Sequence, residues 1–253
     1  MKHPILQTSG ERITLICGHY GVGKTNLALN VVLDMAKEGK DVTLVDMDVV
    51  NPYFRSSDYE ALLSEAHIRL VTPVFAGSNT SLDVPSQKSE VMGAIELAAA
   101  GKTHLIIDVG GDDVGATALC RYVPMIEDAG YEFWYVINRY RIGSENPEDT
   151  VELLREIEVR TGLHATGIIN NSHMMGETTE DHIIDSLAYA DDISVQTNLP
   201  ILATCYPDFL ENNEITIENR MDGRINTTFG RETLQTLLVN PYPVHKLVKT
   251  PWE

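Results

Sequence analysis

Long apolar runs are missing from this 253-residue sequence: no stretch approaches the roughly 18 consecutive apolar residues of a membrane-spanning helix. The first ten residues also lack the charged-then-apolar order of a secretory signal, so a cytoplasmic location is expected. Cysteine is scarce. Cys17, Cys120 and Cys205 lie far apart and form no CxxC pair, which gives neither a zinc pattern nor a disulfide framework. Positive charge is scarce as well, with 19 Lys and Arg against 37 Asp and Glu and a formal net charge of −18. The average field repels phosphate backbones and anionic lipid, and the densest basic spot, Arg139 with Arg141, is no basic run. Neither a nucleic-acid partner nor a membrane partner is expected. There is no internal repeat and no low-complexity segment.

What is present is ordinary for a folded chain: 43% hydrophobic and 22% charged residues, at a length that fits one α/β domain. Short β-branched runs alternate with longer helical patterns. Strands are predicted at Arg12 to Cys17, Asp41 to Val45, Arg69 to Val71, Thr103 to Ile107, Phe133 to Ile137, Thr166 to Ile169 and Ile201 to Thr204. Helices are predicted at Lys24 to Lys37, Tyr59 to Ala66, Glu90 to Ala100, Thr117 to Asp128, Pro147 to Thr161 and Thr179 to Gln196. The alternation predicts an α/β fold, a doubly wound and mostly parallel sheet with helices on both faces. The core should span about residues 12–208. Beyond it a C-terminal extension is expected, a hairpin turning at Asp222-Gly223 or a strap across the domain.

The chemistry-bearing motif is Gly18-His19-Tyr20-Gly21-Val22-Gly23-Lys24-Thr25, which fits GxxxxGK followed by Ser or Thr between a predicted strand and a predicted helix. Backbone N–H groups and the helix N-terminus can surround phosphate oxygens there. The glycines allow the tight turn, Lys24 reaches the β and γ groups, and the Thr25 hydroxyl can ligate Mg²⁺. These eight residues and Asn26 are the expected nucleotide contacts. The side chain of His19 can touch a phosphate or face solvent.

Two strands end in acids, where open parallel sheets bind ligands. Asp108 follows Leu105 to Ile107 and is expected to hold Mg²⁺ directly or through water, while Gly111 can bring a backbone N–H to the γ-phosphate. After Val42 to Val45 come Asp46, Met47 and Asp48. Asp48 is favoured over Asp46 for positioning the attacking water, beside a metal to which it also contributes.

With these residues in place, the sequence resembles the MinD/ParA class of P-loop ATPases, which includes the nitrogenase iron protein, Mrp-type ATPases and dethiobiotin synthetase. The resemblance covers residues 12 to 208. It implies that Asp48 is the hydrolytic aspartate of a switch, and Asn51-Pro52-Tyr53-Phe54-Arg55 is similar to the Mrp-type switch loop. It implies an adenine contact at Asn171, in Gly167-Ile168-Ile169-Asn170-Asn171-Ser172, and a base-bordering strand exit at Pro207. Neither Asn138-Arg139-Tyr140-Arg141 nor Asn171-Ser172-His173-Met174 is an NKxD sequence, so ATP is preferred over GTP.

Departures narrow the role. ParA and MinD members carry a second lysine where this chain has His19, which bears on the ATP-dependent homodimer the resemblance allows. An iron-protein cysteine pair, a basic DNA surface and a C-terminal membrane helix are all lacking. The expectation is an ATP- and Mg²⁺-dependent ATPase switch acting on an unknown protein partner. Its alternatives are a metabolic ligase or kinase with a small-molecule substrate, having a second pocket near Arg55 or Arg139, and a nucleotide-binding module that does not turn over.

Overall fold

The computed structural model describes residues 4–6, 10–47, 59–72, 85–110, 113–211, 215–216, 231–232 and 234–248. Its apolar β-branched runs form strands β1 (Ile13–Gly18), β2 (Val42–Asp46), β3 (Arg69–Val71), β4 (His104–Asp108), β5 (Glu132–Ile137), β6 (Gly167–Asn170) and β7 (Ile201–Pro207). Between them run helices α1 (Lys24–Lys37), α2 (Glu60–Glu65), α3 (Pro85–Ala99), α4 (Asp113–Cys120), α5 (Val123–Ala129), α6 (Pro147–Thr161) and α7 (Glu180–Thr197). In the C-terminal part the described elements are β8 (Ile215–Thr216), β9 (Arg231–Glu232), the short α8 (Leu234–Leu237) and β10 (Pro241–Val244).

Eight strands form one sheet in the order β10-β7-β6-β5-β1-β4-β2-β3, with every pair parallel. Strand residues alternate between two apolar layers, as a pleated strand covered on both sides requires. Ile13, Leu15, Cys17, Leu105, Ile107, Phe133 and Tyr135 meet side chains of α3, α5, α6 and α7. Ile16, Leu44, Ile106, Trp134 and Val136 meet Leu27, Val31 and Met35 of α1 on the other face. The doubly wound sheet expected from the sequence is therefore the fold. Among the described residues no helix is long and apolar enough to cross a membrane.

Two features differ from the sequence reading. The helix expected over Thr117 to Asp128 is two helices meeting at Tyr122, because Pro124 in the first turn of α5 lacks an N–H and crowds the preceding turn. The sheet also continues past the expected core boundary at residue 208, since Pro241–Val244 is a parallel edge strand beside β7. Prolines suggest a strap, yet at alternate positions of an edge strand their missing N–H groups can all fall on the unpaired side. Ile215–Thr216 does pair antiparallel with Arg231–Glu232, while the turn expected at Asp222-Gly223 lies outside the described residues.

Candidate functional site

β1 and α1 are joined by the loop of Gly18 to Gly23, at the carboxyl edge of the sheet where β4 and β5 flank β1. Gly18 lies so close to β5 that a Cβ would sit 2.3 Å from the Val136 carbonyl oxygen. Gly23 has φ of 94°, and a Cβ there would sit 2.6 Å from Asn171 Nδ2. At both places only glycine lets the backbone fit. Val22 is buried beneath the loop, whereas Tyr20 is 56% exposed.

Lys24 is the first residue of α1, only 5% exposed, and its Nζ donates to the His19 carbonyl at 3.0 Å. The ammonium thus lies folded over the loop beside the helix N-terminus, whose first N–H groups have no intrahelical acceptor. Thr25 Oγ1 donates to Asp108 Oδ2 at 2.7 Å, and Asp108 is buried at the end of β4. Asp46 pairs in register with Asp108, and Met47 N donates to the Asp108 carbonyl at 2.8 Å, so β2 delivers its end to the same edge. Asp48 and Gly111, both expected at the site, lie outside the described residues, as does Arg55.

His19 packs against the loop that follows β5. Its Nε2 is 2.8 Å from where a Cβ on Gly143 would stand, and its buried Nδ1 has no partner among the described residues. Burial lowers its pKa, the Lys24 charge lowers it further, and Glu145 opposes both. Cys17, just beneath, is held as a neutral thiol, with burial first among the causes that raise its pKa to about 11.

At the β6 exit, Asn171 is 2% exposed and bridges two elements. Its Nδ2 donates to the Val22 carbonyl at 2.7 Å, and its Oδ1 lies 2.9 Å from His173 Nε2. His173 Nδ1 accepts the Met175 N–H at 3.3 Å, so Nε2 carries the proton and donates to Asn171. Burial, aided by the Arg141 charge, pushes the His173 pKa down to about 3, which keeps the ring neutral. Asn138 closes the group, donating from Nδ2 to the His173 carbonyl at 3.1 Å. Each carboxamide atom of Asn171 keeps one further hydrogen-bonding valence. Pro207, the last residue of β7, is buried on the same edge.

The donor set matches a phosphorylated ligand with a divalent cation: a cradle that a Cβ would fill, a helix N-terminus, a buried ammonium, and a hydroxyl paired with a carboxylate. A model of the CobQ/CobB/MinD/ParA nucleotide binding domain matches residues 13–183. The chain belongs to this nucleotide-binding family.

Comparison with curated proteins gave no match. Among solved structures the chain is similar to the signal recognition particle 54 kDa protein of Aeropyrum pernix in complex with GDP, at 17% identity and a TM-score of 0.52, covering 80% of this chain and 43% of that one. It is also similar to FtsY of Mycoplasma mycoides, at 18% identity and a TM-score of 0.50, covering 79% of this chain and 60% of that one. The chain thus spans less than two thirds of either structure, and at these identities the likeness concerns the fold.

Within the family's domain, the structure brings Gly18, Gly23, Lys24, Thr25, Asp108 and Asn171 together around one loop. The side chain of Asn26 is turned to a different task, bonding the backbone of residues 245–248. Sequence reasoning passed over His173 and Gly143. The Asn171-x-His173 spacing was the available signal for the first, and the second gives none, because its contact with His19 spans 124 residues of chain.

Proposed function

We propose that the chain is a Mg·ATP-binding switch that hydrolyses its nucleotide slowly and presents different surfaces to a protein partner in its ATP and ADP states. The observation that carries this reading is the pairing of buried Lys24, bonded to the loop it closes, with the 2.7 Å contact of Thr25 and Asp108. In this reading the backbone N–H groups of residues 21–26 hold the phosphates, and Lys24 neutralises charge on the β and γ groups. Thr25, Asp108 and Asp48 would hold the Mg²⁺, and what that ion supplies is neutralisation of the charge that builds on the phosphate oxygens. Asp48 orients the attacking water, and Gly111 offers an N–H to the γ-phosphate.

ATP is preferred to GTP because no acid follows Asn171 or Asn138 at the NKxD spacing that reads guanine. Asn171 and the β7 exit at Pro207 border the base. The GDP in the Aeropyrum pernix structure makes GTP the competitor to test. A net charge of −18 favours a protein partner over nucleic acid or lipid. His19 stands at the position where related ATPases reach across a dimer, so assembly is read separately from binding.

Titration calorimetry of the full chain with Mg·ATP and Mg·GTP tests the reading. Wild type should bind ATP more tightly than GTP, and Lys24→Ala should lose roughly a hundredfold or more in affinity, as expected for removing a buried charge-assisted contact. Equal ATP binding by both proteins would overturn the phosphate-loop assignment.

A further inference from the structure

Asn26 follows Thr25 in the first turn of α1, and its side chain is committed to the segment after β10. Nδ2 donates to the His245 carbonyl at 3.0 Å, and Oδ1 accepts the Leu247 N–H at 2.9 Å and the Val248 N–H at 3.2 Å. One turn on, Asn30 repeats the pattern. Its Nδ2 donates to the same His245 carbonyl at 3.0 Å, and its Oδ1 accepts the His245 N–H at 2.8 Å. Another turn on, Asp34 Oδ2 accepts the Tyr242 hydroxyl at 3.0 Å. Positions 26, 30 and 34 share one helix face, so a polar stripe on an otherwise apolar helix matches residues 242–248.

These bonds are not surface ornament. Asn30 is 2% exposed; one N–H of its amide is met inside α1 by the Asn26 carbonyl at 2.8 Å, and the other N–H and the oxygen depend on the tail for partners that water would otherwise supply. Leu247 and Val248 add apolar packing against the α1 layer of the core. On its other side the segment is tied to the exit of β7, where His245 Nδ1 lies 2.7 Å from Asp208 Oδ2. Residues 245–248 therefore connect the helix that begins at the phosphate loop with the strand exit that carries Pro207.

We infer that the segment 245–248 is a clamp on the start of α1, a positioning element of the nucleotide site acting through Asn26 and Asn30, and that its docking and nucleotide occupancy are energetically coupled. The inference rests on the nucleotide-binding reading above. Phosphate is held by the first N–H groups of α1, so its binding requires that turn at a fixed place, and small misplacements of such donors weaken binding steeply. A tail that fixes the turn beforehand removes part of the ordering cost from the binding step. Coupling is reciprocal: what the clamp does for the nucleotide, the nucleotide must do for the clamp.

Two measurements on the full chain test this. Asn26→Ala alone is ambiguous, because Asn26 is also an expected nucleotide contact, so Asn30→Ala is the discriminating variant. It should weaken Mg·ATP binding by about fivefold or more, at the lower end of inter-site coupling, with KM rising more than kcat falls. In wild type, amide exchange at Leu247 and Val248 should slow by a similar factor when Mg·ATP is added. Asn30→Ala binding within about twofold of wild type, or tail amides that ignore Mg·ATP, would overturn the inference. If Asn30→Ala fails to fold, the wild-type exchange measurement decides alone. A wild-type chain that binds no nucleotide ends the functional reading and this one with it. Intact binding with unmoved tail amides ends only this one.

Discussion

In the proposed reading the nucleotide site has a phosphate end and a base end, and the two are built from different materials. The phosphate end is backbone: a strand, a turn that needs glycine at Gly18 and Gly23, and a helix N-terminus, with Lys24 and Thr25 as its working side chains. The base end is made of side chains: Asn171 bonds His173 and reaches back to the Val22 carbonyl, and Asn138 donates to the His173 carbonyl. Backbone sites tolerate almost no substitution at their closest approaches but leave a strong sequence motif. Side-chain networks leave no fixed spacing, and their strength lies in every member being satisfied.

The sharpest way to break the phosphate end is Gly18→Ala. A methyl group 2.3 Å from the backbone oxygen of Val136 forces β1 and β5 apart, since neither atom can swing aside. A loss of about 3 kcal/mol or more is expected in urea unfolding, from overpacking at a backbone contact. A variant as stable as wild type would show that the two strands are not locked at this point.

At the base end the matching change is Asn171→Leu, similar in shape but unable to bond. It leaves the Val22 carbonyl and the His173 Nε2–H without partners, both in the interior. About 2 to 4 kcal/mol should be lost, the desolvation of two stranded groups. Nucleotide affinity should fall with it, because Val22 belongs to the phosphate loop. Unfolding at wild-type denaturant concentration would mean that the network contributes little and that the two ends are independent.

Legibility in the sequence follows the same division. Periodicity located α1 and α6 to the residue, and the loop motif stood out because it is written in glycine, lysine and threonine at fixed spacing. The acid at the end of β4 was visible for the same reason: an apolar run that stops at Asp108. What stayed hidden was long-range. Pro241 and Pro243 argue locally against a strand, and only the edge position beside β7 accommodates them. The bonds of Asn26 and Asn30 to His245 cross more than two hundred residues, and an asparagine in a helix says nothing of its partner. His173 differs: its partners Asn171 and Met175 are two residues away, so the Asn171-x-His173 spacing hinted at the bond, but nothing local showed that the ring is buried.

The smallest expected effect concerns that histidine and is read against pH. With its pKa pushed down to about 3 by burial first and Arg141 second, His173 is neutral in the fold, whereas in the unfolded chain it protonates near pH 6.5. Its contribution is therefore complete above about pH 6.5 and is lost as pH falls toward 3, because the unfolded state takes up the proton first. His104 behaves alike, its pKa lowered to about 4 by burial first and then by Arg12, so the wild-type profile alone does not isolate His173. The difference between wild type and His173→Gln does. Glutamine can still donate to Asn171 but cannot titrate, so the variant should be somewhat less stable at pH 8, with the gap narrowing as pH falls from 6 to 4. Parallel profiles would mean that His173 takes up its proton as readily in the fold as in the unfolded chain. The base end would then hold a buried cation beside Arg141 at low pH, and its reading as a network of neutral, mutually satisfied side chains would fail.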